Sequence, residues 1–537
     1  MAKQLRFHTR AQYSIKRGVD TLANAIKVTI GPKGRNVVLD QRFEAPQVLN
    51  DGVTIARGLD LENPFTNMGL QLIKEAAIKT NDMVGDGTTT AMLLVQGILN
   101  EGLKNIAAGA NPMQLRTGLE LGLQALIAEI KALSKPIETH TEIAQVASIA
   151  ADNSEIGEMI ADVLDHVGKD GVITVEEGRG TTSEIEYIQG MQFDRGYISP
   201  SMVTDQERME AVLSNCHILI TDKKITGFQE LLPVLELLVE HGEKQLLVIA
   251  EDVEGEALTS LVVNKKRGIF TTLAIRAPSF GDRRETVLQD IAIMTGGQLI
   301  SEKAGRTLDS VKIEELGYAR SVTTKRDTTV ILEGKGKPEA IQGRIRELQA
   351  QLTQTGADYD HEKLQQRLAS LSGGVGVIRV GAMTEVEMKE RKLRVEDALS
   401  STRAALEEGV VPGGGAAFVI AQTTLDSVKT KLPEEQTGVN ILRRALEEPL
   451  RQIAANAGYD GPVVVANVRE QPFGYGFDAM TGQYVDMFKA GIIDPVKVTR
   501  TALQNAVSIA GMLLTTDTII TDAPVHIPDF KDIDFGL

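Results

Sequence analysis

Along the first 133 residues, apolar positions recur every three to four residues, the spacing of helices that bury one face. It predicts helices over 15–27, 68–81, 91–103 and 120–133. The first stops at Gly31-Pro32-Lys33-Gly34 and the last is closed by Pro136, both strong breakers. Residues 36–40 read as a short strand. From about 171 the period changes, and β-branched runs at 172–175 and 184–188 predict strands. Between 191 and 336, strands at 217–221, 246–250 and 271–275 alternate with helices at 228–241, 255–267 and 282–295, the pattern of a buried sheet covered by helices. Then Ile341, Ile345, Leu348 and Leu352, followed beyond 355–359 by Leu364, Leu368 and Leu371, predict two helices folded back on each other, a structural seam. A charged helix is expected over 385–403, broken at 409–415. Helical texture like that of the first segment returns over 409–521. The acidic end, 529–537, is expected to be mobile.

Composition narrows the class. The 537 residues allow about three domains. A net charge of −16 argues against a nucleic-acid partner. Aromatic content is 4%, with no Trp and 50 glycines, so the interior must be built from small aliphatic side chains with close backbone approaches. Cys216 is the only cysteine and stands among Leu213, Ile218, Leu219 and Ile220, which marks it as a buried, inert thiol and excludes an intrachain disulfide. No apolar run approaches the roughly 18 residues of a membrane span, and the start carries no secretory signal pattern. A reducing compartment is expected, either bacterial cytoplasm or the matrix or stroma of an organelle.

The chemistry concentrates at Gly85-Asp86-Gly87-Thr88-Thr89-Thr90, between two predicted helices. The free N–H groups at a helix start attract phosphate, and a carboxylate there suits the Mg²⁺ that accompanies a nucleotide. An ordinary N-cap explains the same residues. Other glycine-rich or acidic points accompany it. Thr29-Ile30-Gly31-Pro32 is a turn able to wrap phosphate. Asn50-Asp51-Gly52 carries a type I′ hairpin signal. Val395-Glu396-Asp397-Ala398 lies inside the charged helix, and Pro412-Gly413-Gly414-Gly415 suits flat contact with a ring. Ile493-Asp494-Pro495 reads as an N-cap with Pro at the first helical position.

Taken together with their flanks, these segments closely resemble the group I chaperonins of the GroEL class. The similarity runs from about residue 7 to 522 and includes Lys27–Val38, Gly85–Thr90, Gly190–Tyr197, Glu251–Leu258, Ala277–Arg284, Val395–Leu399 and Asp494–Arg500. The resemblance implies a multidomain α+β and α/β subunit. Its equatorial ATPase domain (1–133 and 409–521) is mostly helical, its hinge is small (134–190 and 374–408), its apical domain is α/β (191–373), and a tail follows (522–537). It implies ATP, Mg²⁺ and K⁺ as ligands. Thr29, Ile30, Gly31 and Pro32 with Gly87, Thr88, Thr89 and Thr90 would cradle phosphate. Asp86 would hold Mg²⁺, with K⁺ beside Thr29 and Thr89. Gly413, Gly414, Asp478, Ala479, Met480 and Ile492 would surround the base, and Asp494 the ribose. Asp397, aided by Asp51, would place the attacking water once the hinge closes.

On the same resemblance, Tyr197, Leu232, Leu235, Leu258, Val262 and Val263 would bind unfolded polypeptides and a lid co-chaperonin of the GroES type. The subunits would form sevenfold rings stacked in pairs, and Arg195 and the charged helix from Glu385 to Arg394 would make switching ion pairs between them. Three departures stand out: Asn50 where many members have lysine, Ser201 and Met202 at positions often aromatic, and a C-terminus without Gly-Gly-Met repeats. The first would remove a cation near the nucleotide and the second would weaken the apical binding surface.

Overall fold

The computed structural model describes residues 2–523 except 41–45, 152, 169–170, 179, 207, 302, 304, 355–363, 365–366, 369 and 372–373. Chain contacts divide it into two compact units: Met1–Asp162 with Ala382–Leu537, and the continuous Val163–Gly381.

The first unit is helical. His8–Ile26, Pro64–Val84, Thr88–Ala107, Pro112–Ala132, Pro433–Ala445 and Val496–Leu514 share one aliphatic core. The four helices predicted within the first 133 residues are present but start earlier than their apolar spacing suggests, whereas the charged helix starts at Glu385 as predicted. Asn63 and Asn111 accept backbone N–H groups ahead of Pro64 and Pro112, so side-chain caps and proline set the true starts. A strand missed by the hydrophobic pattern, Lys3–Phe7, pairs antiparallel with Thr518–Asp522 and joins the two ends of the chain.

Two turn readings are corrected. Asn50-Asp51-Gly52 does not close a hairpin: Val37–Leu39 already pairs with Gln47–Leu49, and Asp51 caps the helix Gly52–Gly58. Nor is Asp494 an N-cap. Ile493–Pro495 is a strand paired with Val410–Pro412, and Pro495 is the residue preceding the last helix. In both places a longer-range pairing overrides the local turn signal.

The second unit holds a mixed sheet in the order Thr271–Arg276, Gln245–Ala250, Ala211–Thr221, Gly317–Thr324, Thr329–Gly334, Gly190–Phe193. Its first two pairings are parallel and the rest antiparallel. Helices Leu232–Glu240, Gly255–Lys266 and Asp282–Thr295 contribute to its core. The predicted helix 228–241 is split, with a 3₁₀ turn at Phe228–Glu230 ahead of Leu232. Pro338–Gln354 forms the first of the two expected back-folded helices, and Leu364, Leu368 and Leu371 pack with it in the same core. The turn between them lies outside the described residues, as does the acidic end from 524. A separate three-stranded sheet combines Val172–Glu177, Val375–Val380 and Glu184–Ile188. Cys216 is fully buried and burial pushes its thiol up to about 12, so it is inert as expected. Among the described residues, no helix is long and apolar enough to cross a membrane.

Candidate functional site

The site lies in the helical unit and begins at the turn Gly85–Gly87. Gly85 (φ +71°) ends helix Pro64–Val84 and Gly87 (φ +78°) precedes helix Thr88–Ala107. No side chain caps the start of that second helix, so its first N–H groups face outward with the positive end of the helix dipole. The Asp86 carboxylate is held at both oxygens: Oδ1 accepts from the Gly87 N–H at 2.5 Å and Oδ2 accepts from the Ser401 hydroxyl.

Gly52 brings a second segment alongside. A methyl group there would lie 2.5 Å from Thr89 Oγ1 and 3.1 Å from Thr88 Oγ1, so only glycine fits. The neighbouring Asp51 carboxylate accepts from Val53 N, Thr54 N and Thr54 Oγ1 at 3.2, 2.9 and 2.6 Å. Its first role is therefore to cap a helix.

The turn after the first helix is pinned from the far end of the chain. Asn456 donates both amide hydrogens, to the Lys27 and Ile30 carbonyls, each at 2.9 Å. Thr29 Oγ1 donates to Ile26 O, Gly34 N donates to Gly31 O, and Gly31 (φ +85°) and Pro32 are left exposed. This is a preformed, outward-facing loop.

The C-terminal segments complete the site. Gly413 N donates to Ile492 O at 2.9 Å, and Val411 pairs with Asp494. The Gly414 and Gly415 N–H groups donate to the Asp494 carboxylate, yet its pKa is pushed up to about 7. Loss of water around the carboxyl is the main cause and the negative Asp86 the second, outweighing the two N–H donors. The hairpin Tyr475–Asp478/Gln483–Asp486 lies beside Gly414, where Phe477 and Met487 approach. Asp478 accepts from Met480 N and the Thr481 hydroxyl, holding its own turn; Ala479 is buried and Met480 is 60% exposed.

Asp397 is partly buried on helix Glu385–Glu408. It precedes Ser401 by four residues and so shares its face of the helix. The first half of this helix lies along the hairpin: Thr384, Val386, Glu387, Glu390 and Arg394 share a cleft with Asn36, Val48 and the exposed Asn50.

These residues combine hard carboxylate oxygens with outward backbone N–H groups. The negative Asp86 disfavours the charged form of Asp494. Among the described residues no group of three or more His, Cys, Asp or Glu is arranged to hold a metal. Mg²⁺ takes one or two carboxylates and leaves its other positions to phosphate and water, and the Asp86 carboxylate could supply one. Spacing alone did not point to Ser401 or Asn456, because a single hydroxyl or amide within a helix carries no periodic signal.

In the second unit, Tyr197, Leu232, Leu258 and Val262 are half-buried and Val263 is 38% exposed. Leu235 is corrected: at 3% exposure it packs in the core of the unit and is not available at the surface. Met202 is likewise interior at 1% exposure, with its sulfur accepting the Ala274 N–H at 3.2 Å. Its departure from an aromatic residue therefore alters packing beneath the surface; only Ser201 is exposed. Arg195 lies over the exposed ring of Phe280 at 5.0 Å, and Glu385 pairs with Lys389 on its own helix.

The family model for TCP-1/cpn60 chaperonins matches residues 22–524. In fold the chain is similar to the chaperonin gp146 from bacteriophage EL 2 (Pseudomonas aeruginosa), crystallised in the presence of ATP-BeFx. The TM-score is 0.67 at 21% identity, over 97% of this chain and 99% of that one.

Proposed function

Because the chain belongs to the TCP-1/cpn60 chaperonin family, we propose that it binds Mg·ATP around Asp86 and couples hydrolysis to the folding of unfolded polypeptides inside a ring cavity. One observation carries this reading. Asp86, the uncapped start of helix Thr88–Ala107 and the Asp494–Gly414 segment come from opposite ends of the chain, yet Ser401 donates to Asp86 and the Asp86 charge acts on Asp494.

In this reading the N–H groups of Thr88, Thr89 and Thr90 and the loop Thr29–Pro32 receive the phosphates. Asp86 orients toward the cation, and Mg²⁺ when bound neutralises phosphate charge. Asp494, its proton released, accepts from the ribose hydroxyls, and Gly413 and Gly414 face the base. Asp397 orients the attacking water and accepts its proton. Positioning and charge neutralisation are the main demands of phosphoryl transfer. K⁺ beside Thr29 and Thr89, sevenfold double rings, a GroES-type lid, the three-domain division and a cytoplasmic or organelle location belong to the same proposal. Leu232, Leu258, Val262, Val263 and Tyr197 offer the guest-binding surface.

Steady-state ATPase measurement tests it. Asp397→Ala should lower the turnover number by at least about a hundredfold, the lower range for loss of a general base, while nucleotide still binds. Equal, slow turnover by both proteins would favour a second reading, a ring-forming holdase with weak ATPase. That reading draws on Asn50, which leaves the cleft beside the hairpin without a lysine, and on Ser201 and Met202.

A further inference from the structure

We propose that Ser401 is a positioning residue that aims the Asp86 carboxylate at the nucleotide-bound cation; this deepens the Mg·ATP reading and rests on it. Ser401 is fully buried within helix Glu385–Glu408. A serine or threonine in such a place ordinarily donates back to the carbonyl four residues earlier. Its neighbour Thr402 does so, to Ala398 O. Ser401 instead donates out of its own helix, to Asp86 Oδ2, across 315 positions of sequence.

The consequence for Asp86 is geometric. One oxygen is fixed by the Gly87 N–H and the other by the Ser401 hydroxyl. Each carboxylate oxygen has two acceptor sites, so both retain one for a cation. The carboxylate is thus oriented without being consumed. The turn that carries it is clamped by the same helix: a methyl group on Gly85 would lie 2.4 Å from Ser400 Cβ. Partners that hydrogen-bond a metal-ligating carboxylate set its orientation, and losing one commonly weakens the metal by 10- to 100-fold. Ser401 also stands one turn from Asp397. The helix that presents the water-activating carboxylate therefore also aims the cation ligand.

Calorimetric titration of ADP into the full-length protein tests this, in EDTA and at stepped Mg²⁺ concentrations. Ser401→Ala should bind metal-free ADP like wild type and require about tenfold more Mg²⁺ to reach half of the Mg²⁺-dependent gain in affinity. An unchanged Mg²⁺ half-point overturns the proposal. So does an equal loss of affinity with and without Mg²⁺, which would mark Ser401 as packing alone. A wild-type protein with no Mg²⁺-dependent gain would instead remove the nucleotide reading itself, whatever the variant does.

Discussion

Asp494 shows how a site can be read from the discomfort of one side chain. Its carboxyl is raised from 3.8 to about 7 by burial and by Asp86. The folded state therefore binds a proton that the unfolded chain has released, and stability falls as pH rises through the window from about 4 to 7. Asp494→Asn removes that penalty, which is at most about 4 kcal/mol for three pKa units. In EDTA without nucleotide, the melting temperature of Asp494→Asn should match wild type near pH 4 and exceed it increasingly toward pH 8. A gap that shrinks toward pH 8 would show that the carboxylate is comfortable in the empty site. The residue itself was legible in the sequence, as an acid beside a proline. Its strand setting was not, because pairing with Val410–Pro412 depends on a segment more than eighty positions away.

At the scale of elements, glycine answers the question its abundance raised. Helices Pro112–Ala132 and Pro433–Ala445 meet backbone to backbone: a methyl on Gly438 would lie 2.3 Å from Leu115 O, and one on Gly118 would lie 1.9 Å from Glu435 O. Gly438→Ala sets two effects against each other. Alanine is the better helix former by about 1 kcal/mol, while overpacking a fixed backbone contact costs about 1–3 kcal/mol. The crossing cannot yield without moving a whole helix, so packing wins and the denaturation midpoint should fall. A rise would mean that the helices slide apart freely. Nearby, Glu447 is 5% exposed and accepts from Arg444, Arg451 and Arg469, tying three helices together. Glu447→Ala should destabilise by about 3 kcal/mol, the low end for breaking a buried pair because the arginines keep some water. Arg444→Ala, at a half-exposed partner, should change stability by under about 1 kcal/mol. A chemical-denaturation series compares the two. Periodicity located the helices because each buries a stripe. It could not reveal Gly118 against Gly438, or Asn456 against the loop at 27–30, since contact between distant segments leaves no local pattern.

At the scale of the molecule, the two units differ in how the chain builds them. The helical unit needs both termini: Lys3–Phe7 pairs with Thr518–Asp522, Asn456 holds Lys27 and Ile30, and Asn505 donates to Thr80 Oγ1 at 3.0 Å. Residues 1–162 alone would lack the core partners supplied by residues 411–519 and would expose the apolar faces that pack on them. The other unit is continuous, Val163–Gly381, and carries its own sheet and core. Domains of roughly this size with a private core fold independently. Expressed alone, residues 163–381 should unfold in one cooperative thermal transition followed by far-UV circular dichroism, and 1–162 should show none. Buried Asp290, bonded to Arg344 at 2.7 Å and to Arg367 at 2.6 Å, supplies an internal control. Asp290→Ala strands two guanidiniums inside that fragment and should lower its transition by several degrees, since about 3 kcal/mol is a large share of a domain's stability. A gradual, non-cooperative melt of 163–381 would mean that its core depends on the helical unit, and continuity of chain would then be a poor guide to which part of this protein folds first.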